Sequence, residues 1–139
     1  MQKPEINILN LQKNIRLGAK EIKNIKKIVL LALKSQSDAL LRKINICLMD
    51  NQKIKKLNKK HLKADHPTDV LAFNIEETGE IAISAQQAKI NAKAYKTEDL
   101  DELYLYVAHG CLHLLGYDDN TAMKRELMQN KASKILQNL

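Results

Sequence analysis

Tryptophan is absent from this chain of 139 residues, and phenylalanine occurs once, at Phe73. Proteins that read single-stranded nucleic acid by stacking need several aromatic faces. The lack of them argues against a base-stacking platform and leaves charge and shape for any nucleic-acid contact. Cysteine occurs only at Cys47 and Cys111, which is too few for a disulfide scaffold and agrees with a reducing cytoplasm. Long hydrophobic runs are missing too. The longest aliphatic stretch, IVLLAL at 28–33, falls far short of the roughly 20 residues that span a bilayer. The first ten residues, MQKPEINILN, hold no apolar segment of the kind that marks export. No repeats or low-complexity linkers interrupt the chain. The expectation is a soluble cytoplasmic protein with no membrane partner, folded as one domain over 1–139.

What the chain does contain is lysine. Lys and Arg number 23 against 16 Asp and Glu, a net charge of +7. The excess is clumped: NQKIKKLNKKHLK at 51–63 carries six lysines over a helical spacing of Ile54, Leu57 and Leu62. A second basic helix reads AKEIKNIKKIVLLALK at 19–34. Such faces attract phosphate backbones or anionic surfaces, although a lysine-rich solvated surface explains them equally well. His61 and His66 lie in this polar region and read as surface residues.

The pattern along the chain alternates strands and helices. Strands are expected at 6–11, 43–50, 69–75 and 79–84, the last two joined as a hairpin by a turn at 77–79. Helices are expected at 17–36, over 51–63, from Ser84 to about Tyr95, from an N-cap at Thr97, and at 121–137. This is an α+β domain, α/β in type, with a small mixed sheet of about four strands, about five helices and a central buried helix carrying an HxxxH pair.

That helix reads LYLYVAHGCLHLL at 103–115, apolar on every side of the wheel, and a helix apolar all round is usually buried. Its two strongly polar side chains, His109 and His113, are four residues apart, which places both imidazoles on one face about 6 Å apart. Buried polar groups need partners, and a divalent ion would satisfy both histidines at once. Alone, HxxxH is a weak signal. Gly110 strengthens it, because a mid-helix glycine costs about 1 kcal/mol relative to alanine and so marks a close approach, of a ligand or of a packed neighbour. Gly116 is placed to end the helix in a left-handed cap. The reversed chain could then return Asp118 or Asp119 as an oxygen ligand, the other capping the last helix.

HGCLHLLGYDD at 109–119, with LNKKHLKADHPTDVLAF at 57–73 and GEIAIS at 79–84, resembles the YbeY family of bacterial rRNA-maturation endoribonucleases, over about residues 44–136. The resemblance implies an α/β fold with a small sheet around a central helix. It also implies one zinc ion held by three histidines spaced H-x3-H-x5-H, cleavage of single-stranded RNA, 16S rRNA 3′-end processing and ribosome quality control. The matching positions here are His109, His113 and Asp119, so the set becomes two histidines and a carboxylate. Aspartate binds zinc acceptably, but a harder ligand widens the choice toward other divalent transition metals. Leu62 stands where the family usually has an arginine, so phosphate clamping falls to Lys60, Lys63 or another cation.

The leading expectation is a zinc-dependent endoribonuclease with rRNA or a ribosomal subunit as partner. His109 and His113 act through the metal, Glu80 or Asp69 is a base or supporting carboxylate, and Lys56, Lys59, Lys60 and Lys63 hold the RNA backbone. Gly110 fills the slot where the peptidase motif HExxH has its glutamate, so peptide hydrolysis falls behind. Two other readings stand beside it. One is a non-catalytic ribosome-assembly factor with a structural metal. The other is a metal hydrolase of another substrate, favoured if the basic face proves scattered.

Overall fold

The computed structural model describes residues 3–35, 41–62 and 69–139, with the backbone alone at 61 and 62. Among them run β1 (Glu5–Asn10), α1 (Ala19–Lys34), β2 (Lys43–Met49), α2 (Asn51–Leu62), β3 (Val70–Ile75), β4 (Thr78–Ser84), α3 (Ala85–Tyr95), α4 (Asp99–Leu114) and α5 (Ala122–Gln137). All four expected strands and five expected helices are present. The strands form one mixed sheet in the order β1-β2-β4-β3, with β1, β2 and β4 parallel and β3 antiparallel to β4. None of the described helices is long and apolar enough to cross a membrane.

Strand side chains alternate between faces, and here the alternation sorts the helices. Ile44, Ile46, Leu48, Ile81 and Ile83 point to one face and join the main core with Ile25 and Ile28 of α1, Val107 and Leu112 of α4, and Met128 and Ile135 of α5. Met49, Leu71 and Ala82 point to the other, where they enclose Ile54 of α2. Helix α2 therefore lies across the sheet from α1, α4 and α5. Cys47 and Cys111 fall on opposite faces and both are free thiols; burial pushes the Cys111 thiol up to about 12.

Ends differ from expectation in three places, each for a local reason. The hairpin turns at Glu76 and Glu77, because Thr78 already pairs with Ile75, and Glu76 takes a positive φ of 54°. Helix α4 is capped by Glu98, whose backbone N–H donates to Asp101 Oδ2 at 3.3 Å and whose carbonyl accepts from Asp101 N at 3.0 Å; Thr97 precedes it and its hydroxyl donates to Glu102. Helix α5 is capped by Thr121, whose Oγ1 accepts from Lys124 N at 3.2 Å, so neither aspartate of the loop serves as its N-cap.

Gly110 marks the contact of α4 with the sheet. A Cβ there would lie 2.7 Å from Ile81 Cγ2 and 3.4 Å from Val70 Cγ1, both inside the packed face. Close helix packing therefore explains the glycine. Gly110→Ala is expected to destabilise the fold: overpacking costs about 1–3 kcal/mol, and the gain in helix propensity returns only about 1. Thermal unfolding should show a melting temperature lower by a few degrees; an unchanged or higher value would refute the close approach.

Candidate metal centre

Helix α4 is the central element, packed against α1, α3, α5, β3 and β4. Its acidic first turn, Asp99, Asp101 and Glu102, suits the positive end of the helix dipole. At the other end Gly116 adopts φ +99°, as expected of a left-handed cap. Gly116 N donates to His113 O at 3.1 Å and Tyr117 N to Leu112 O at 3.0 Å, which satisfies the last carbonyls and turns the chain back.

The reversal places the Tyr117 carbonyl 3.1 Å from His113 Nδ1. A carbonyl oxygen only accepts, so Nδ1 carries a proton, and in the neutral ring the lone pair lies on Nε2. Orientation of one imidazole nitrogen by a backbone carbonyl is the usual support of a metal-binding histidine. One turn earlier, His109 is half-buried and its Nε2 is fully enclosed with no hydrogen-bond partner among the described residues. Burial pushes the His109 pKa below its ordinary 6.5, and the neighbouring His113 adds to the shift; Asp69 and Asp119 pull the other way. The ring is thus held neutral, the form that donates a lone pair to a cation.

The depressed pKa fixes a sign. Between the ordinary value of 6.5 and the lower native one, the unfolded chain binds more protons than the native chain, so stability falls as pH drops through this window. Chelator-treated protein is expected to melt at lower temperature as pH is taken down from 7, and His109→Gln should flatten part of that slope. Identical pH profiles for the two proteins would contradict the assignment.

The acidic candidates divide. Asp69, just before β3, lies near enough for its charge to act on His109, and its carbonyl accepts from Ser84 N at 2.9 Å. Glu80 does not join the histidines. It pairs across the sheet with Asn45 and Phe73, one residue out of phase with Ile81, and so faces away from α4. Its Oε1 accepts from Asn45 Nδ2 at 2.9 Å in a ladder that Asn7 continues. Period-two alternation is the reason, and it removes Glu80 from the site. Asp118 is engaged elsewhere: Oδ1 accepts from Asn120 N and Oδ2 lies 3.4 Å from Lys124 Nζ. Asp119 is exposed, its side chain makes no hydrogen bond or ion pair among the described residues, and its carbonyl accepts from Arg125 Nη1 at 3.2 Å.

Among the described residues no three His, Cys, Asp or Glu side chains are gathered closely enough to hold an ion. Two nitrogen donors fit a divalent cation, one enclosed without a partner and one already oriented. The Asp119 carboxylate, uncommitted among the described residues, acts on His109 through its charge. The basic candidates Lys56, Lys59 and Lys60 are exposed on α2, across the sheet from the histidines. Lys63 and His66, with the side chains of His61 and Leu62, lie outside the described residues. Sequence reasoning missed Lys124, Arg125 and Lys131 of α5, all of which contact the 117–119 loop. The seven-residue spacing of Lys124 and Lys131 was the available signal.

An α+β chain with this sheet and helix order has a solved counterpart. The solution structure of a Thermotoga maritima protein matches with a TM-score of 0.64 and 29% identity, covering 96% of this chain and 90% of that one. The model of the family described as endoribonuclease YbeY matches residues 7–139, and the chain belongs to that family. Relatives named endoribonuclease YbeY include that of Carboxydothermus hydrogenoformans, 33% identical over 93% of each chain. That of Bacillus licheniformis is 31% identical over 87% of each. A third, from Acetivibrio thermocellus, is 30% identical over 97% of this chain and 96% of its own.

Proposed function

We propose that this chain is a metal-dependent endoribonuclease of the cytoplasm that cuts single-stranded RNA in 16S rRNA 3′-end maturation and ribosome quality control. His109, His113 and Asp119 hold one divalent ion per chain, zinc before other transition metals, and the ribosomal subunit is the partner. The observation that carries the reading is the enclosed Nε2 of His109, without a partner among the described residues, one helical turn from a histidine whose other nitrogen is already committed. Family membership supplies the nuclease class.

Held by His109, His113 and Asp119, a divalent ion would supply Lewis-acid activation of water and of a phosphoryl oxygen, both of which favour phosphodiester hydrolysis. The chain's own residues do the rest. Tyr117 O fixes the tautomer and orientation of His113, and burial keeps His109 unprotonated. Asp69 is the carboxylate suited to take a proton from the attacking water, since its charge reaches His109. Leucine at position 62 moves the holding of phosphate to lysine and arginine side chains.

One observation favours a second reading. The lysines are spread over α1 and α5 on one side of the sheet and α2 on the other, a scatter that suits a metal hydrolase of a smaller phosphodiester. Chelator-treated protein should lose cleavage of single-stranded RNA and regain it with one equivalent of zinc, leaving duplex RNA intact. Cleavage of a small phosphodiester but not of RNA would replace the first reading by the second. Metal-loaded protein that cuts neither would be a non-catalytic assembly factor.

A further inference from the structure

The loop that carries Asp119 is held from α5 by three cations. Lys124 Nζ lies 3.4 Å from Asp118 Oδ2, Arg125 Nη1 donates to Asp119 O at 3.2 Å, and Lys131 Nζ sits 5.6 Å from the centre of the Tyr117 ring. In the same loop, Tyr117 O accepts from His113 Nδ1. The three cations and the histidine pair therefore flank one short segment, whereas the lysines of α2 are separated from it by the sheet.

Lys124 and Lys131 are two helical turns apart on one side of α5, spanning about 10 Å of its axis, and Arg125 adjoins Lys124. Their donors are far from used up. An ammonium has three N–H groups and a guanidinium five, and each of the two N-terminal cations has one partner among the described residues. Lys124 and Arg125 are exposed. Glu126 is the single acidic residue of α5, against Lys124, Arg125, Lys131 and Lys134. A guanidinium matches two phosphate oxygens at once, and lysines add point charges.

We propose that α5, rather than α2, is the phosphate-holding arm of this site, with Lys124, Arg125 and Lys131 binding backbone phosphates of single-stranded RNA beside the histidine pair. The assignment rests on the endoribonuclease reading and adds to it the face on which the RNA lies. It also supplies the cation that Leu62 does not.

The test compares wild type, the Lys124→Gln/Arg125→Gln/Lys131→Gln variant, and a variant with Lys56, Lys59, Lys60 and Lys63 replaced by Gln. Binding of a short single-stranded 2′-O-methyl RNA, recovered intact, is measured from low to physiological salt. Each lost phosphate contact removes roughly 0.7 from the log–log salt slope for a single strand. The α5 variant should therefore lose about 2 from the slope, with KM for RNA cleavage up about tenfold and kcat held. Its metal content and melting temperature should match wild type, and the α2 variant should keep a near-wild-type slope. If the triple variant disturbs the loop, Lys131→Gln alone, whose ammonium faces a ring and not a carboxylate, should still lose roughly 0.7. A wild-type slope in the α5 variants with a flattened slope in the α2 variant overturns the proposal. Absence of salt-dependent RNA binding in metal-loaded wild type would instead refute the RNA reading on which it rests.

Discussion

Replacing His109 or His113 by alanine is expected to remove the bound metal and, with it, RNA cleavage. In the proposed centre each side chain supplies one of two nitrogen donors beside Asp119, and the described residues gather no alternative group of three that could hold the ion instead. A polarising ion contributes several kcal/mol to hydrolysis, so its loss corresponds to on the order of a thousandfold in rate or more. The two variants should lose activity to a similar degree although their structural roles differ. The His109 Nε2 is enclosed and lacks a partner among the described residues, while His113 is tied to Tyr117 O. Elemental analysis of purified protein should find about one ion per wild-type chain and almost none in either variant. Full occupancy in either one would remove the centre from consideration.

The two adjacent aspartates should behave very differently. Asp119→Ala is expected to weaken metal affinity by more than the roughly 10–100-fold that follows loss of a group that merely orients a ligand. Asp118→Ala should stay within or below that range, because its oxygens already serve Asn120 N and Lys124. Asp119→His should retain the ion and favour zinc over harder-ligand competitors. Competition with a chromophoric chelator gives the affinities directly. If Asp118→Ala strips the metal and Asp119→Ala does not, the loop presents the other carboxylate.

The elements were legible because their periods were clean. Ile44, Ile46 and Leu48 alternate as a half-buried strand must, and Gly116 ended its helix as its φ allows. The histidine face of α4 followed from four-residue spacing alone. What the sequence could not reveal was which face of the sheet each helix covers. Alternation shows that Glu80 and Ile81 point opposite ways, but only the position of Gly110 against Ile81 shows that Glu80 is the one turned from the histidines. The same limit hid the separation of the α2 lysines from the site. The capping errors were competitions between equivalent side chains. Thr121 and the preceding aspartates can all accept from a free helix N–H, and loop geometry chose the threonine.

The order of strands in the sheet bears on how the chain reaches this state. Only β3 and β4 pair locally, through a two-residue turn, whereas Ile8 meets Ile46 and Ile46 meets Ile81 across long intervening segments. Local hairpins form within microseconds, and long-range parallel pairing is slow because a large loop must close first. The hairpin also presents Val70 and Ile81, the two residues on which Gly110 rests. Residues 70–114 thus form a contiguous unit in which the histidine helix is expected to gain its platform before β1 and β2 are added. Pulse-labelled amide exchange should find protection in β3, β4 and α4 ahead of β1. During synthesis the amino-terminal half emerges first, yet β2 stays unflanked on one side until β4 has left the ribosome.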